Sequence, residues 1–142
     1  MVMASASKSE FDGLVEQASL AAANSYSPYS LFKVGAALLL TNGQVVTGTN
    51  VENVSFGLTI CAERAALVRA VSEFGPEIRI AAVAVANLNN APSPPCGACR
   101  QMLAEFAGPE ATIVFPASAG MTAMHFDEVL PLGFDMHLKS NR

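Results

Sequence analysis

The sequence predicts an α/β protein, a three-layer α/β/α sandwich with a mixed sheet of about five strands, built by residues 1–142 as a single domain. Three observations lead there. The hydropathy pattern runs helix, strand, strand, helix, strand, helix, strand, strand, and strands that alternate with helices after an opening hairpin require a sheet covered by helices. Asn42-Gly43 between two β-rich segments is a two-residue hairpin signal. Ile78 to Ala86 is an almost unbroken apolar run, as expected of a strand covered on both faces. A doubly wound nucleotide-binding fold is the rival, weakened because no glycine-rich phosphate loop follows any strand.

The elements follow in order. From about Lys8 to Asn24, Phe11, Leu14, Val15, Ala18 and Ala22 recur at helical spacing, and Ser7 with Glu10 fits a capping box. Ser25-Tyr26-Ser27-Pro28-Tyr29-Ser30 breaks that helix. Phe32 to Thr41 reads as the first strand and Gln44 to Thr49 as the second, with a loop from Asn50 to Ile60. An Ala-rich helix runs from about Cys61 to Phe74 and stops at Gly75-Pro76. After the strand Ile78 to Ala86 and a proline-rich loop, a third helix spans from near Gly97 to near Gly108-Pro109. Thr112 to Phe115 is a short strand, Met121 to Phe126 a fifth, and Asp127 to Leu130 a helical turn.

Composition narrows the function. Of 142 residues, 51% are hydrophobic and 14% charged, which excludes disorder for most of the chain and leaves apolar surface to be covered by subunit contact. No apolar run reaches the length of a membrane span. The net charge of −4 and the absence of a basic run argue against nucleic acid as a partner. No signal-peptide pattern opens the sequence, so a cytoplasmic location is expected. Three cysteines is an odd number for a secreted disulfide framework.

Two short segments carry chemistry: Cys61-Ala62-Glu63, and Pro95-Cys96-Gly97-Ala98-Cys99. Three soft thiolates suit zinc, and three protein ligands leave the fourth position to water, as in catalytic zinc sites. A closed structural site would need His125 or His137, neither at short spacing from a cysteine. Cys61 and the Cys96/Cys99 pair each fall at a predicted helix N-terminus, where the dipole favours thiolates. Residues two apart on a helix do not share a face, so Cys61 and Glu63 meet at one metal only if the site lies off the helix end. Zinc lowers the pKa of bound water from about 15.7 toward ~7, and a non-ligating carboxylate beside it can move the proton. Glu63 is the candidate, although alone it would read as a first-turn helix acid.

A ligand, any residue, a glutamate and then Pro-Cys-x-x-Cys is the signature of zinc nucleobase deaminases. The chain resembles the short, homotetrameric cytidine deaminases from about Ser27 to Phe134. The motifs are Ser27 to Leu38, Thr47 to Asn53, Cys61-Ala62-Glu63-Arg64, Pro95 to Gln101, and Leu130-Pro131 with Phe134. The resemblance implies a cytidine deaminase-like fold and one Zn²⁺ per subunit on Cys61, Cys96 and Cys99. It implies hydrolytic deamination of cytidine and deoxycytidine to uridine and deoxyuridine with release of ammonia, in pyrimidine salvage. Zinc-activated hydroxide attacks C4 while Glu63 shuttles protons, and the Ala62 amide meets the pyrimidine. Phe32 matches the aromatic that packs on the base, and Asn50 and Glu52 match residues that bind the ribose hydroxyls. Arg64 matches an arginine that partly neutralises the thiolates. Phe56 and Phe134 match positions that reach a neighbour's active site, so a homotetramer with shared sites is implied. Phe56 stands where many members carry Tyr, and Pro94 where the family often has Ser.

Between Asn50 and Ile60 the one charge is Glu52, so a phosphate finds no cation there and a free nucleoside fits better. Other readings are a deaminase for a cytosine-bearing antibiotic such as blasticidin S, a structural zinc module, and a thioredoxin-like use of Cys96 and Cys99. The last leaves Cys61 and Glu63 unexplained.

Overall fold

The structure, a computed structural model, describes residues 8–136. Helix α1 (Lys8–Ala22) precedes the hairpin of β1 (Val34–Leu40) and β2 (Val45–Thr49). Then come α2 (Ala62–Phe74), β3 (Ile80–Asn87), α3 (Gly97–Ala104), β4 (Ala107–Ala117), β5 (Gly120–His125) and the single turn α4 (Phe126–Val129). The sheet order is β2-β1-β3-β4-β5, with β3 and β4 parallel and the other neighbours antiparallel. The mixed five-stranded sheet covered by helices is the architecture the sequence predicts. The Ser7 half of the capping box and His137 lie outside the described residues.

Alternation along the strands builds two cores. In β1, Ala37 and Leu39 face α1 and pack with Leu14, Ala18, Ala82 and Ala84. Ala36, Leu38 and Leu40 face the other way, onto Ala62, Ala66, Leu67 and Leu103 of α2 and α3. A glycine in each hairpin strand lets a helix backbone approach. A Cβ on Gly35 would lie 1.9 Å from the Ala18 carbonyl oxygen, and one on Gly48 2.4 Å from the Ala66 amide nitrogen. Gly48 thereby sets how closely α2 lies on the sheet, and α2 carries part of the site.

Most boundaries fall within two residues of the sequence reading, but β4 is longer and α3 shorter. The segment Gly108-Pro109 does not end the helix. It lies inside β4, where pairing jumps from Ile80↔Ala107 to Ala82↔Thr112. That irregularity absorbs the extra residues and tolerates the missing N–H of proline. Among the described residues no helix is long and apolar enough to cross a membrane.

Candidate active site

Cys61 is the N-cap of α2 and Cys96 the N-cap of α3, both in extended backbone and neither spending its side chain on a cap hydrogen bond. Both thiols are therefore free to meet across the gap between the helix ends. Cys99 is the third residue of α3 and is fully buried. The three sulfurs lie within 4.8 Å of one another, with Cys96 Sγ 3.3 Å from Cys99 Sγ and 3.9 Å from Cys61 Sγ. This geometry removes the helix-face objection: Cys61 sits off the helix, whereas Glu63 is the second residue inside it.

The donor set fits zinc. Three thiols converge at two helix N-termini, the positive ends of two dipoles. The hydrogen bond from Cys99, offset in part by burial and aided by Arg64, pulls Cys61 down to about 5, in the thiolate range at neutral pH. The same pairing pushes the Cys99 thiol up. One proton shared between two sulfurs is what a cation would displace. Arg64 Nη2 donates to Cys61 Sγ at 3.4 Å and to the Thr59 carbonyl at 3.3 Å. Among the described residues, the three cysteines form the one cluster of potential ligands, and His125 is not in it. Its ring instead pairs with the Glu110 carbonyl at 3.0 Å.

A cavity of about 350 Å³ opens beside the thiols, and Phe32, Asn50, Thr59, Cys61, Glu63 and Cys96 line it, with Ala62 at its wall. Glu63 is 4% exposed, and burial pushes its carboxyl above the usual range, with the Cys61 charge adding to the effect. Among the described residues, no Lys, Arg or His lines this cavity. The Ala62 amide, at the first position of α2, has no intrahelical acceptor and is free to donate.

Asn50 is fixed in orientation. Its Oδ1 accepts from Ser25 Oγ and from the Val34 amide at 3.0 Å, and its Nδ2 donates to the Phe32 carbonyl at 2.8 Å. One amide N–H is left over. Glu52 is buried but is not among the cavity-lining residues. Its Oε1 accepts from the Tyr29 and Ser30 amides at 3.0 and 3.1 Å and its Oε2 from Ser30 Oγ, which together hold the carboxyl below the usual range, the Ser30 hydroxyl most strongly. Glu52 thus clasps the turn leading into Phe32. Arg100 braces the segment before Cys96, with Nε donating to the Pro95 carbonyl at 2.7 Å and Nη1 to the Val129 carbonyl at 2.8 Å.

Phe56 and Phe134 do not line their own chain's cavity, and each is 73% exposed. Phe56 packs edge-on to Tyr29 at 6.1 Å. Thr59 was not singled out by the sequence reading. Its signal is positional: two residues before Cys61 in extended backbone, it must face the same way.

A family profile for the cytidine and deoxycytidylate deaminase zinc-binding region matches residues 8–115. A cytidine deaminase of Halalkalibacterium halodurans is 43% identical over 122 residues, 85% of this chain and 91% of the relative. One from Mycobacterium tuberculosis is 50% identical over 99 residues, 70% of this chain and 73% of the relative. The crystal structure of cytidine deaminase from M. tuberculosis superposes with a TM-score of 0.78 at 41% identity, covering 89% of this chain and 98% of that one. That from Burkholderia pseudomallei gives 0.78 at 41%, covering 87% and 98%.

Proposed function

Since the chain belongs to the cytidine and deoxycytidylate deaminase family, we propose that it hydrolyses cytidine and deoxycytidine to uridine and deoxyuridine with release of ammonia, in pyrimidine salvage. The observation that carries this is the meeting of Glu63, Cys61 and Cys96 on one cavity wall, with Glu63 buried and its carboxyl pushed up. Zinc held by Cys61, Cys96 and Cys99 would supply Lewis acidity, bringing water within reach of deprotonation near neutral pH.

Glu63 does the proton work. It takes a proton from the attacking water, passes it to N3 of the pyrimidine, and delivers the second proton to the departing amine at C4. A carboxyl whose pKa is raised toward neutrality suits both halves of that cycle. The Ala62 amide faces the base, Phe32 packs on it, and the remaining Asn50 N–H meets the sugar. Glu52 serves the sugar end through the lone pair left beyond Tyr29 and Ser30 and by holding the turn before Phe32. Arg64, bonded to Cys61, offsets the thiolate charge and keeps the centre electrophilic.

A nucleoside is favoured over a nucleotide because, among the described residues, the cavity wall offers no cation to a phosphate. The active form is a homotetramer in the cytoplasm, each chain one catalytic domain, with Phe56 and Phe134 reaching a neighbour's cavity. Supporting this, both residues are exposed and neither lines its own chain's cavity. The deciding experiment measures zinc content and cytidine turnover together, on wild type and on Glu63→Ala. One zinc per chain with turnover lost in the variant is the expected result. A zinc-loaded wild-type protein without cytidine turnover would overturn it.

A further inference from the structure

We propose that the Thr59 hydroxyl is a substrate contact, a hydrogen-bond partner for a sugar hydroxyl of the bound nucleoside. The inference rests on the functional reading above and adds a residue to it.

Thr59 Oγ1 is shut off from solvent and has no hydrogen-bond partner, one of two such side-chain atoms among the described residues. A hydroxyl in that condition costs stability, so folded chains seldom keep one without reason. The second atom, Arg64 Nε, belongs to a guanidinium already bonded elsewhere. Thr59 has no such alternative. The residue lines the cavity, and since Oγ1 is closed off as it stands, a turn about χ1 is what brings the hydroxyl to the substrate.

Backbone pairing fixes where on the wall it stands. Val51 and Ile60 exchange both amide hydrogen bonds, each at 2.9 Å, in an antiparallel bridge. That register sets Cys61 opposite Asn50 and Thr59 opposite Glu52. Thr59 and Cys61 are both extended, so their side chains share a face, whereas Ile60 points outward at 40% exposure and is absent from the wall. At about 3.3 Å of rise per residue, Thr59 stands roughly 7 Å along the strand from Cys61. The reacting carbon of the base must sit near the sulfurs, and a group that far along, beside Asn50 and Glu52, meets the sugar. Asn50 has one N–H left, a donor only. A threonine hydroxyl both donates and accepts, so it complements a sugar hydroxyl that Asn50 alone cannot saturate.

The test uses zinc-loaded wild type, Thr59→Val, which keeps shape and removes the hydroxyl, and Thr59→Ser, which keeps the hydroxyl. Each is assayed on cytidine, 2′-deoxycytidine and 3′-deoxycytidine, with zinc content and thermal midpoint recorded. Thr59→Val should lower kcat/KM for cytidine roughly 3- to 10-fold, the worth of one neutral hydrogen bond, mainly through KM. The loss should vanish on whichever deoxy analogue lacks the contacted hydroxyl, and Thr59→Ser should restore the wild-type pattern. The thermal midpoint of Thr59→Val should be unchanged or higher, since a partnerless hydroxyl has gone. A purely structural role predicts the opposite sign. Unchanged kcat/KM, or an equal fall on all three nucleosides, would refute the contact, and so would a fall accompanied by lost zinc or lowered melting. If Thr59→Val does not fold, Thr59→Ala is read by the same comparison across nucleosides. A wild type inert on cytidine would overturn the functional reading and this inference together, whereas an active wild type with an indifferent Thr59→Val overturns this inference alone.

Discussion

Gly48→Ala tests whether the backbone contact between β2 and α2 sets the geometry of the site. The added Cβ would lie 2.4 Å from the Ala66 nitrogen, 2.7 Å from the Ala62 carbonyl oxygen and 2.8 Å from the Ala66 Cα. All three are helix backbone atoms, so no side chain can rotate out of the way. Ordinary contact begins at 3.4 Å, so α2 must retreat by about 1 Å. The first turn of α2 carries Cys61 and Glu63, while Cys96 and Cys99 stay with α3. Metal sites tolerate errors of about 0.2 Å in ligand distance, so zinc affinity should fall. A misplacement of about 1 Å at a group that acts on the substrate costs up to roughly 10²-fold in turnover. Overpacking should also cost about 1–3 kcal/mol, lowering the midpoint of the zinc-free protein by roughly 3–10 °C. The assays are zinc competition with a chromogenic chelator, melting of the chelated protein, and kcat on cytidine. Gly13→Ala is the control: it lies in α1 with nothing within 4 Å of its Cβ, and alanine there should be neutral or stabilising. Wild-type zinc affinity, melting and kcat in Gly48→Ala would refute the claim that this glycine positions the site.

Two further predictions concern charge and assembly. Burial raises the Glu63 pKa above its unfolded value, so its contribution favours the folded state at acid pH and is lost as pH rises through the folded pKa. In zinc-free protein, Glu63→Gln should therefore melt higher than wild type at pH 8, with the difference closing below about pH 4, and equal melting at both ends would refute the burial cost. Wild type should elute near four times the 14.8 kDa chain, and Phe134→Ala should dissociate or lose cytidine turnover on dilution. A monomer with full turnover at every concentration would refute the shared site.

The cysteine cluster, with Glu63 beside it, was legible because its spacing is local in sequence. Cys61-Ala62-Glu63 and Pro95 to Cys99 each carry their spacing within five residues, and each lies at a helix start marked by a change in periodicity. The hairpin was legible for the same reason, from Asn42-Gly43. What pattern could not supply depends on pairing between distant segments. The Val51↔Ile60 bridge brings Thr59 to the cavity, and nothing in the loop's composition announces it. The clasp of Glu52 on Tyr29 and Ser30 spans more than 20 residues. Gly108-Pro109 carries a helix-stop signal in sequence, but the register jump opposite Ile80 and Ala82 outweighs that local preference and makes it strand.

The apolar composition divides into two populations with different work. The small residues, Ala18, Ala22, Ala62, Ala66 and Ala70 among them, are wholly buried where helices meet the sheet. They let backbones approach until main-chain atoms set the spacing, so helix ends can be held to the tolerance that zinc and the proposed proton shuttle need. Among the large exposed residues, Val51, Val54, Phe56, Leu58 and Ile60 fall within ten residues of one another in the segment leading to Cys61. Val51 and Ile60 form the outer face of the bridged pair whose inner face carries Asn50, Thr59 and Cys61. If the proposed tetramer covers that outer face, assembly presses on the back of the strands proposed to hold the sugar. Dissociation should then raise KM for the nucleoside while leaving zinc in place, because Cys96 and Cys99 are held by α3 and Cys61, at the end of that pair, is also fixed as the N-cap of α2.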